Sequence, residues 1–237
     1  MKIKENDLFL TWNSEEKMFH VVAGSCRIIF GPMFSGKSTK LRQEITTLAD
    51  VGLKTLYINH SIDNRKTEAY DQIITTHHSG FKGLSDKIDV IKINALSNID
   101  VSMYDAIAID EGQFFDDIEE SVREWVLKDA KIVIVASLDS DYMMRPFGKV
   151  INLVCICESG NVEKLPAVCD KCLKTSLENG RILRVPASFT AKFDINLRKS
   201  GYNQVNVGGK ESYLPVCMKC YQEHMQKEMI TIPSIGI

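Results

Sequence analysis

The sequence has almost no excess of charge in either sign: 29 Lys and Arg stand against 31 Asp and Glu, a formal net charge of −2. Without a basic surface there is no general attraction for polyanions, so nucleic acid is not an expected partner. No apolar run is long enough to cross a bilayer, which removes the membrane as a partner. The stretch Met1–Asp7 is charged and has no signal-type apolar core, so the expected location is the cytoplasm. Internal repeats and low-complexity tracts are missing as well. What is present is ordinary globular composition: 237 residues, 44% hydrophobic and 25% charged, enough for one good core and a smaller unit. Seven cysteines in a reducing compartment point to metal binding or buried thiols rather than disulfides.

The chain is organised around Gly31-Pro32-Met33-Phe34-Ser35-Gly36-Lys37-Ser38, which fits G-x-x-x-x-G-K-[ST]. The glycines let the backbone turn so that successive N–H groups point at one anion. Lys37 then brings its charge to the β- and γ-phosphates of a nucleotide, and the Ser38 hydroxyl is placed to ligate Mg²⁺. The flanks suit the motif. Cys26–Phe30 reads as a buried strand entering the loop; Leu41, Ile45, Leu48 and Ala49 recur at helical spacing after it, and Gly52 follows as a stop signal.

Further along, Lys54–Ile58 reads as a second strand and Ile88–Ile93 as a weaker one, with a polar stretch, Asn59–Gly83, between them. In the N-terminal segment Leu8–Trp12 is a candidate strand and Glu15–Phe19 a candidate turn. Tyr104–Ile109 runs straight into Asp110 and Glu111, the pattern of a buried parallel strand whose carboxyl end opens into a site. Phe115, Ile118, Val122, Trp125 and Val126 share one helix face. Lys131–Ser137 reads as another buried strand and Val150–Cys157 as the last, with Cys155 and Cys157 facing one side of it and Cys26 also in the core. Strands separated by helices predict an α/β fold with a mostly parallel sheet. From about Glu158 the pattern changes to short polar segments punctuated by Cys, Pro and Gly.

Asp110 is placed to hold Mg²⁺, through a water, and Glu111 to accept a proton from whatever attacks the γ-phosphoryl group. The pair does not say what attacks: water makes an ATPase, a hydroxyl makes a kinase. Cys169-x-x-Cys172 and Cys217-x-x-Cys220 offer four thiolates at a spacing that suits a closed tetrahedral Zn²⁺ site. Such a metal staples the ends of the long interval 173–216, which carries Gly180, Gly201, Gly208 and Gly209. His224 is a weaker ligand candidate, and His77 and His78 read as loop or core histidines.

Taken together these motifs resemble the type II thymidine kinases, the class that includes the cytosolic animal and poxvirus enzymes. The resemblance runs from about Ser25 to Tyr221. It rests on Gly31–Thr39, Asp110-Glu-Gly-Gln-Phe-Phe115, Ala136-Ser-Leu-Asp139, Arg145-Pro-Phe-Gly148, Val168–Cys172, Gly208-Gly-Lys-Glu-Ser-Tyr213 and the last cysteine pair. It implies a RecA-like P-loop domain with a small zinc-stapled lasso domain. The expected division is 1–24 as an N-terminal extension, 25–158 as the ATP-binding domain, 159–225 as the lasso domain and 226–237 as a tail.

The activity that the resemblance implies is ATP-dependent phosphorylation of thymidine, and of deoxyuridine, at the 5′-hydroxyl, in nucleotide salvage for DNA synthesis, by a homotetramer. Glu111 would be the general base, Lys37 and Ser38 would handle ATP·Mg²⁺, and Asp110 would act on the Mg²⁺ side. Asp63, Asn64 and Arg65 would lie near the phosphates, with Arg65 meeting transition-state charge, and Gly112 and Gln113 would complete the ATP side. Met33, Phe114, Leu138, Tyr142 and Phe147 would wall the base. Gln204, Val205, Asn206, Val207 and Gly208 would offer backbone hydrogen bonds to the thymine edge, with Tyr213 packing nearby. There are departures: Tyr142 stands where Phe is common, Met143 and Met144 replace residues that are usually polar or basic, and the inter-cysteine loop is longer than usual around Arg184–Tyr202. Two rivals share parts of this pattern, a P-loop ATPase acting on nucleic acid and a zinc-stabilised nucleotide sensor without catalysis.

Overall fold

A computed structural model describes residues 2–5, 8–13, 18–21, 23–62, 88–192 and 212–231, with side chains described over 23–62, 88–192 and 212–226. The chain divides into two compact units. The first comprises Met1–Phe30, Lys37–Ser137 and Gly148–Glu163; the second comprises Gly31–Gly36, Leu138–Phe147 and Lys164–Ile237. The second unit therefore takes in the P-loop turn and the segment after Ser137 as well as the cysteine-bearing region.

The first unit opens with three short strands, β1 (Lys2–Glu5), β2 (Leu8–Asn13) and β3 (Met18–Val21), paired antiparallel. Its main sheet contains β4 (Ser25–Phe30), β5 (Thr55–His60), β6 (Ile88–Ile93), β7 (Ala106–Ile109), β8 (Ile132–Ser137) and β9 (Val162–Lys164) in the order β6-β5-β7-β8-β4-β9. The pairings β6·β5, β5·β7, β7·β8 and β8·β4 are parallel. Every residue of β5, β7 and β8 is buried. That is why these strands read as continuous apolar runs instead of alternating ones.

Helix α1 (Lys37–Asp50) follows the P-loop and buries Leu41, Ile45 and Ala49 against the sheet, touching β8, β7 and β5. Helix α2 (Ile118–Leu127) buries Ile118, Val122, Trp125 and Val126 in a cluster with Cys26, Ile28 and Phe30 of β4. Because strand side chains alternate, the α1 residues fall outside that cluster and the sheet carries helices on both faces. Each fully buried Leu or Ile here contributes roughly 1.5–3 kcal/mol relative to exposure.

One expected strand is absent. Val150–Ile156 is a 3₁₀ helix. Val150 and Leu153 are buried while Ile151 and Val154 are exposed, a spacing of three that matches three residues per turn. Cys155 is correspondingly exposed and Cys157 only half-buried, while Cys26 is fully buried. A short apolar run does not distinguish strand from helix, and here the burial pattern follows the helical period.

The second unit holds β10 (Ala167–Val168), helix α3 (Asp170–Glu178), β11 (Pro186–Ala187), β12 (Phe189–Lys192), β13 (Tyr213–Val216) and helix α4 (Met218–Thr231). β10 pairs with β11 and β12 with β13, both antiparallel. Among the described residues its core comprises Ala167, Cys169, Ala187, Ala191, Val216, Cys220 and Tyr221.

Candidate active site

In the first unit the two ends of the phosphate chemistry meet. Ser38, in the first turn of α1, donates its hydroxyl to Oδ1 of Asp110 at 3.0 Å. Asp110 follows the last residue of β7 and is 1% exposed. Its Oδ1 also accepts the Glu111 N–H at 3.0 Å, and its Oδ2 accepts the Tyr57 hydroxyl at 2.7 Å. Lys37, at the start of α1, is buried. A cation and a hydroxyl at a helix start with a carboxylate opposite are the parts a nucleotide·Mg²⁺ site needs.

Glu111 has a left-handed backbone, φ 54°, and opens a 3₁₀ turn over Gly112–Phe114. Non-glycine residues rarely adopt this region, and such strain gathers at sites that need a side chain aimed. Its Oε2 accepts from Gln113 Nε2 at 2.5 Å, and Ser137 donates to Gln113 Oε1 at 3.0 Å. Phe114 is half-buried, with its ring centroid 5.7 Å from that of His60.

In the second unit the loop Gly31–Gly36 has positive φ at Phe34 (64°) and Gly36 (86°). The buried Ser35 hydroxyl has no partner among the described residues, and an orphaned donor inside a glycine-rich turn fits a phosphate oxygen. The Met33 N–H donates to the Thr190 hydroxyl at 3.1 Å. The segment Leu138–Phe147 is organised by Asp141, whose Oδ1 accepts the amides of Met143 at 2.8 Å and Arg145 at 2.9 Å. Leu138 and Tyr142 are half-buried, Phe147 and Tyr213 buried. The Tyr221 hydroxyl donates to the Tyr142 carbonyl at 2.9 Å, and Lys192 Nζ lies 4.7 Å from the Tyr142 ring centroid. Burial, with help from Asp141, raises the Tyr142 phenol above its ordinary range, so its hydroxyl stays protonated at neutral pH.

The four cysteines Cys169, Cys172, Cys217 and Cys220 converge, with all their sulfurs within 4.8 Å of one another. Cys172 Sγ lies 3.8 Å from Cys217 Sγ and 3.5 Å from Cys220 Sγ. Four thiolates about 2.3 Å from one Zn²⁺ at tetrahedral angles would stand about 3.8 Å apart, so the cluster could hold zinc. His224 is not part of it: its Nε2 pairs with the Lys192 carbonyl at 2.9 Å.

A model of the thymidine kinase family matches residues 24–221. The chain belongs to the thymidine kinase family. The thymidine kinase of Choristoneura biennis entomopoxvirus is 37% identical over 204 residues, spanning 84% of this chain and 97% of its own. That of vaccinia virus, strain Western Reserve, is 34% identical over 200 residues, with coverage of 84% and 97%. Thymidine kinase 1 of Dictyostelium discoideum is 32% identical over 215 residues, covering 90% of this chain and 84% of its own. Among solved structures, a DNA replication initiation factor aligns with 87% of this chain and 55% of its own at a TM-score of 0.35 and 15% identity, too slight a likeness to bear on fold or function.

Several residues expected from the thymidine kinase resemblance lie outside the described residues: Asp63, Asn64, Arg65, Gln204, Val205, Asn206, Val207 and Gly208, together with His77 and His78. Others were given no role by sequence reasoning, although Ser137 lies within the Ala136–Asp139 motif. Tyr57, Ser137, Thr190 and Asp141 each hold a site residue or a site loop. Two of them carry a legible signal, because a Tyr and a Ser on fully buried strands must find hydrogen-bond partners. A separate cavity of 610 Å³ in the first unit, lined by Asp100, Asp117, Glu120, Glu124 and Trp125 among others, contains none of the expected site residues. No helix among the described residues is long and apolar enough to cross a membrane.

Proposed function

We infer that this member of the thymidine kinase family transfers the γ-phosphoryl group of ATP to the 5′-hydroxyl of thymidine, and of deoxyuridine, as a step in nucleoside salvage. The observation that carries the reading is the 3.0 Å bond from Ser38 to Asp110 with Glu111 next in the chain, inside a chain of this family. Lys37 binds the β- and γ-phosphates and meets the charge that grows as the bond to the leaving oxygen breaks. Glu111 takes the proton from the attacking hydroxyl. Ser38 and Asp110 would hold Mg²⁺, which when bound neutralises charge on the phosphate oxygens. Arg65 would add a second positive charge there.

Met33, Phe114, Leu138, Tyr142, Phe147 and Tyr213 would wall the base, and the backbone of Gln204–Gly208 would read its edge. Zinc on the four cysteines would hold that segment at both ends. The reading extends to a homotetramer in the cytoplasm, as the resemblance implies. The deciding experiment supplies labelled thymidine with ATP and Mg²⁺ and measures labelled thymidine monophosphate. Formation of product at a rate that vanishes without protein is expected. ATP turnover that ignores thymidine but responds to DNA or RNA would instead make the chain a nucleic-acid-dependent ATPase.

A further inference from the structure

We propose that Ser137 and Gln113 are positioning residues that hold the Glu111 carboxylate in its working orientation; the inference rests on the reading of Glu111 as the proton acceptor. The three side chains form one line. The Ser137 hydroxyl donates to Gln113 Oε1 at 3.0 Å, and Gln113 Nε2 donates to Glu111 Oε2 at 2.5 Å. Ser137 is 0% exposed and Gln113 4% exposed.

The direction of the line matters. A carboxamide has an acceptor end and a donor end. Ser137 engages the acceptor end, so the donor end faces Glu111. Were the amide turned round, two oxygens would face each other and the bond from Gln113 to the carboxylate would be lost. Ser137 therefore acts on Glu111 through Gln113, from the end of the neighbouring strand β8.

The backbone beneath is held as closely. A Cβ added at Gly112 would fall 2.7 Å from Val135 Cγ1, and one added at Gly148 would fall 2.4 Å from the Gln113 carbonyl oxygen. Gly148 also has φ +64°, a conformation that favours glycine. Gln113 is thus clamped by Gly148 on its main chain and by Ser137 on its side chain, directly after the left-handed Glu111.

Stability alone does not call for this arrangement. Two buried polar partners can be replaced together by apolar groups of similar shape at little cost. The Ser137 and Gln113 side chains are buried, polar and end on a carboxylate, so the line they form serves that carboxylate. A misplacement of about 1 Å in a reacting group can cost about 10²-fold in rate, so a device that fixes one rotamer has a kinetic consequence.

The test is a set of variants of the full chain: Ser137→Ala, Gln113→Met, the double variant, Ser137→Thr, Glu111→Gln, and Ser137→Ala combined with Glu111→Gln. Each is assayed for kcat and for KM of thymidine and of ATP, with thermal unfolding alongside. Ser137→Ala is expected to lower kcat about 10-fold or more while both KM values stay within about twofold. Gln113→Met should lower kcat at least as far, and adding Ser137→Ala to it should change nothing more, because one residue acts through the other. Ser137→Thr, which keeps the hydroxyl, should recover most of the wild-type kcat. In the Glu111→Gln background Ser137→Ala should have no effect.

The inference is overturned if Ser137→Ala leaves kcat unchanged while Glu111→Gln abolishes it, or if the Ser137 and Gln113 effects multiply. It is also overturned if kcat, KM and thermal stability all fall together without rescue by threonine, which is the mark of a structural role. Full activity in Glu111→Gln would instead remove the reading of Glu111 as proton acceptor, and this inference with it.

Discussion

The Tyr57 hydroxyl donates to Asp110 Oδ2 at 2.7 Å, joining two neighbouring strands of the parallel sheet at residues 5% and 1% exposed. The bond leaves Asp110 Oδ1 to Ser38 and to the Glu111 amide. Hydrogen bonds to a charged group are worth about 1.5–3 kcal/mol, and removing one partner leaves the other with its desolvation cost. Tyr57→Phe should therefore destabilise the protein by about 1.5–3 kcal/mol. It should also raise the Mg²⁺ concentration needed for half-maximal activity, since Asp110 would lose the bond that fixes its Oδ2. Denaturant unfolding and a Mg²⁺ titration of the rate measure the two effects. An unchanged midpoint and an unchanged Mg²⁺ requirement would mean the bond holds nothing.

Glu111→Gln keeps the shape of the side chain and removes its capacity to take a proton. Loss of a general base costs about 10²–10⁴ in rate. A fall in kcat of that order is expected, with thymidine and ATP affinities little changed. Comparing thymidine phosphorylation with thymidine-free ATP hydrolysis in both proteins identifies the nucleophile. Fast hydrolysis without nucleoside in the wild type, stopped by the substitution, would make water the nucleophile.

Zinc loading of the four-cysteine cluster should rise with pH. Burial, followed by the neighbouring Cys169, pushes the Cys172 thiol up to about 11, and burial pushes Cys220 up as well. Cys169 moves the other way: burial raises it, but the N–H groups of Cys172 and Cys217 donate to its sulfur and prevail. A metal must displace the protons that these raised thiols hold at neutral pH, so acidification should release it. Purified protein is expected to carry zinc, and Cys172→Ser to lose it, with weaker thymidine binding and retained ATP binding. Metal analysis and calorimetric titration with each ligand check this; a zinc-free wild type, or normal thymidine binding by the variant, would contradict it.

His60 should make folding weaker in mild acid. Its Nδ1 accepts the Ile62 amide at 3.0 Å and its ring stands edge-on to Phe115 at 4.7 Å. Burial lowers its pKa below the ordinary 6.5, against the backbone of Asn94 and the charges of Asp116 and Asp117. The unfolded chain thus binds a proton on this residue at higher pH than the folded one does. The stabilising contribution is present above the unfolded value and is lost as pH falls from there toward the folded value. His60→Asn should show a smaller loss of stability than the wild type between about pH 7.5 and pH 5.5 by denaturant unfolding. Equal losses in the two proteins would assign the acid sensitivity elsewhere.

The parts of the site that were legible in the sequence are those whose chemistry is carried by neighbours in the chain. Gly31–Ser38 needs a turn and a helix start, both local. Asp110 and Glu111 end an apolar run, and that run is apolar because β7 is buried on both faces. The cysteine pairs declared themselves by their C-x-x-C spacing, and the structure brings their sulfurs within 4.8 Å of one another, a grouping that could hold a metal ion.

What the tertiary structure alone decided depends on contacts between residues far apart in sequence. The order β6-β5-β7-β8-β4-β9 sets β5 beside β7, which gives Asp110 its partner Tyr57, and sets β8 beside β7, which brings Ser137 to Gln113. Parallel strands are joined by crossovers, so no local periodicity announces which strand lies next to which. Val150–Ile156 departs from the expected strand for a related reason. Its apolar residues fit a strand or a 3₁₀ turn equally well in the chain, and the choice was made by where the core lay, against Val150 and Leu153.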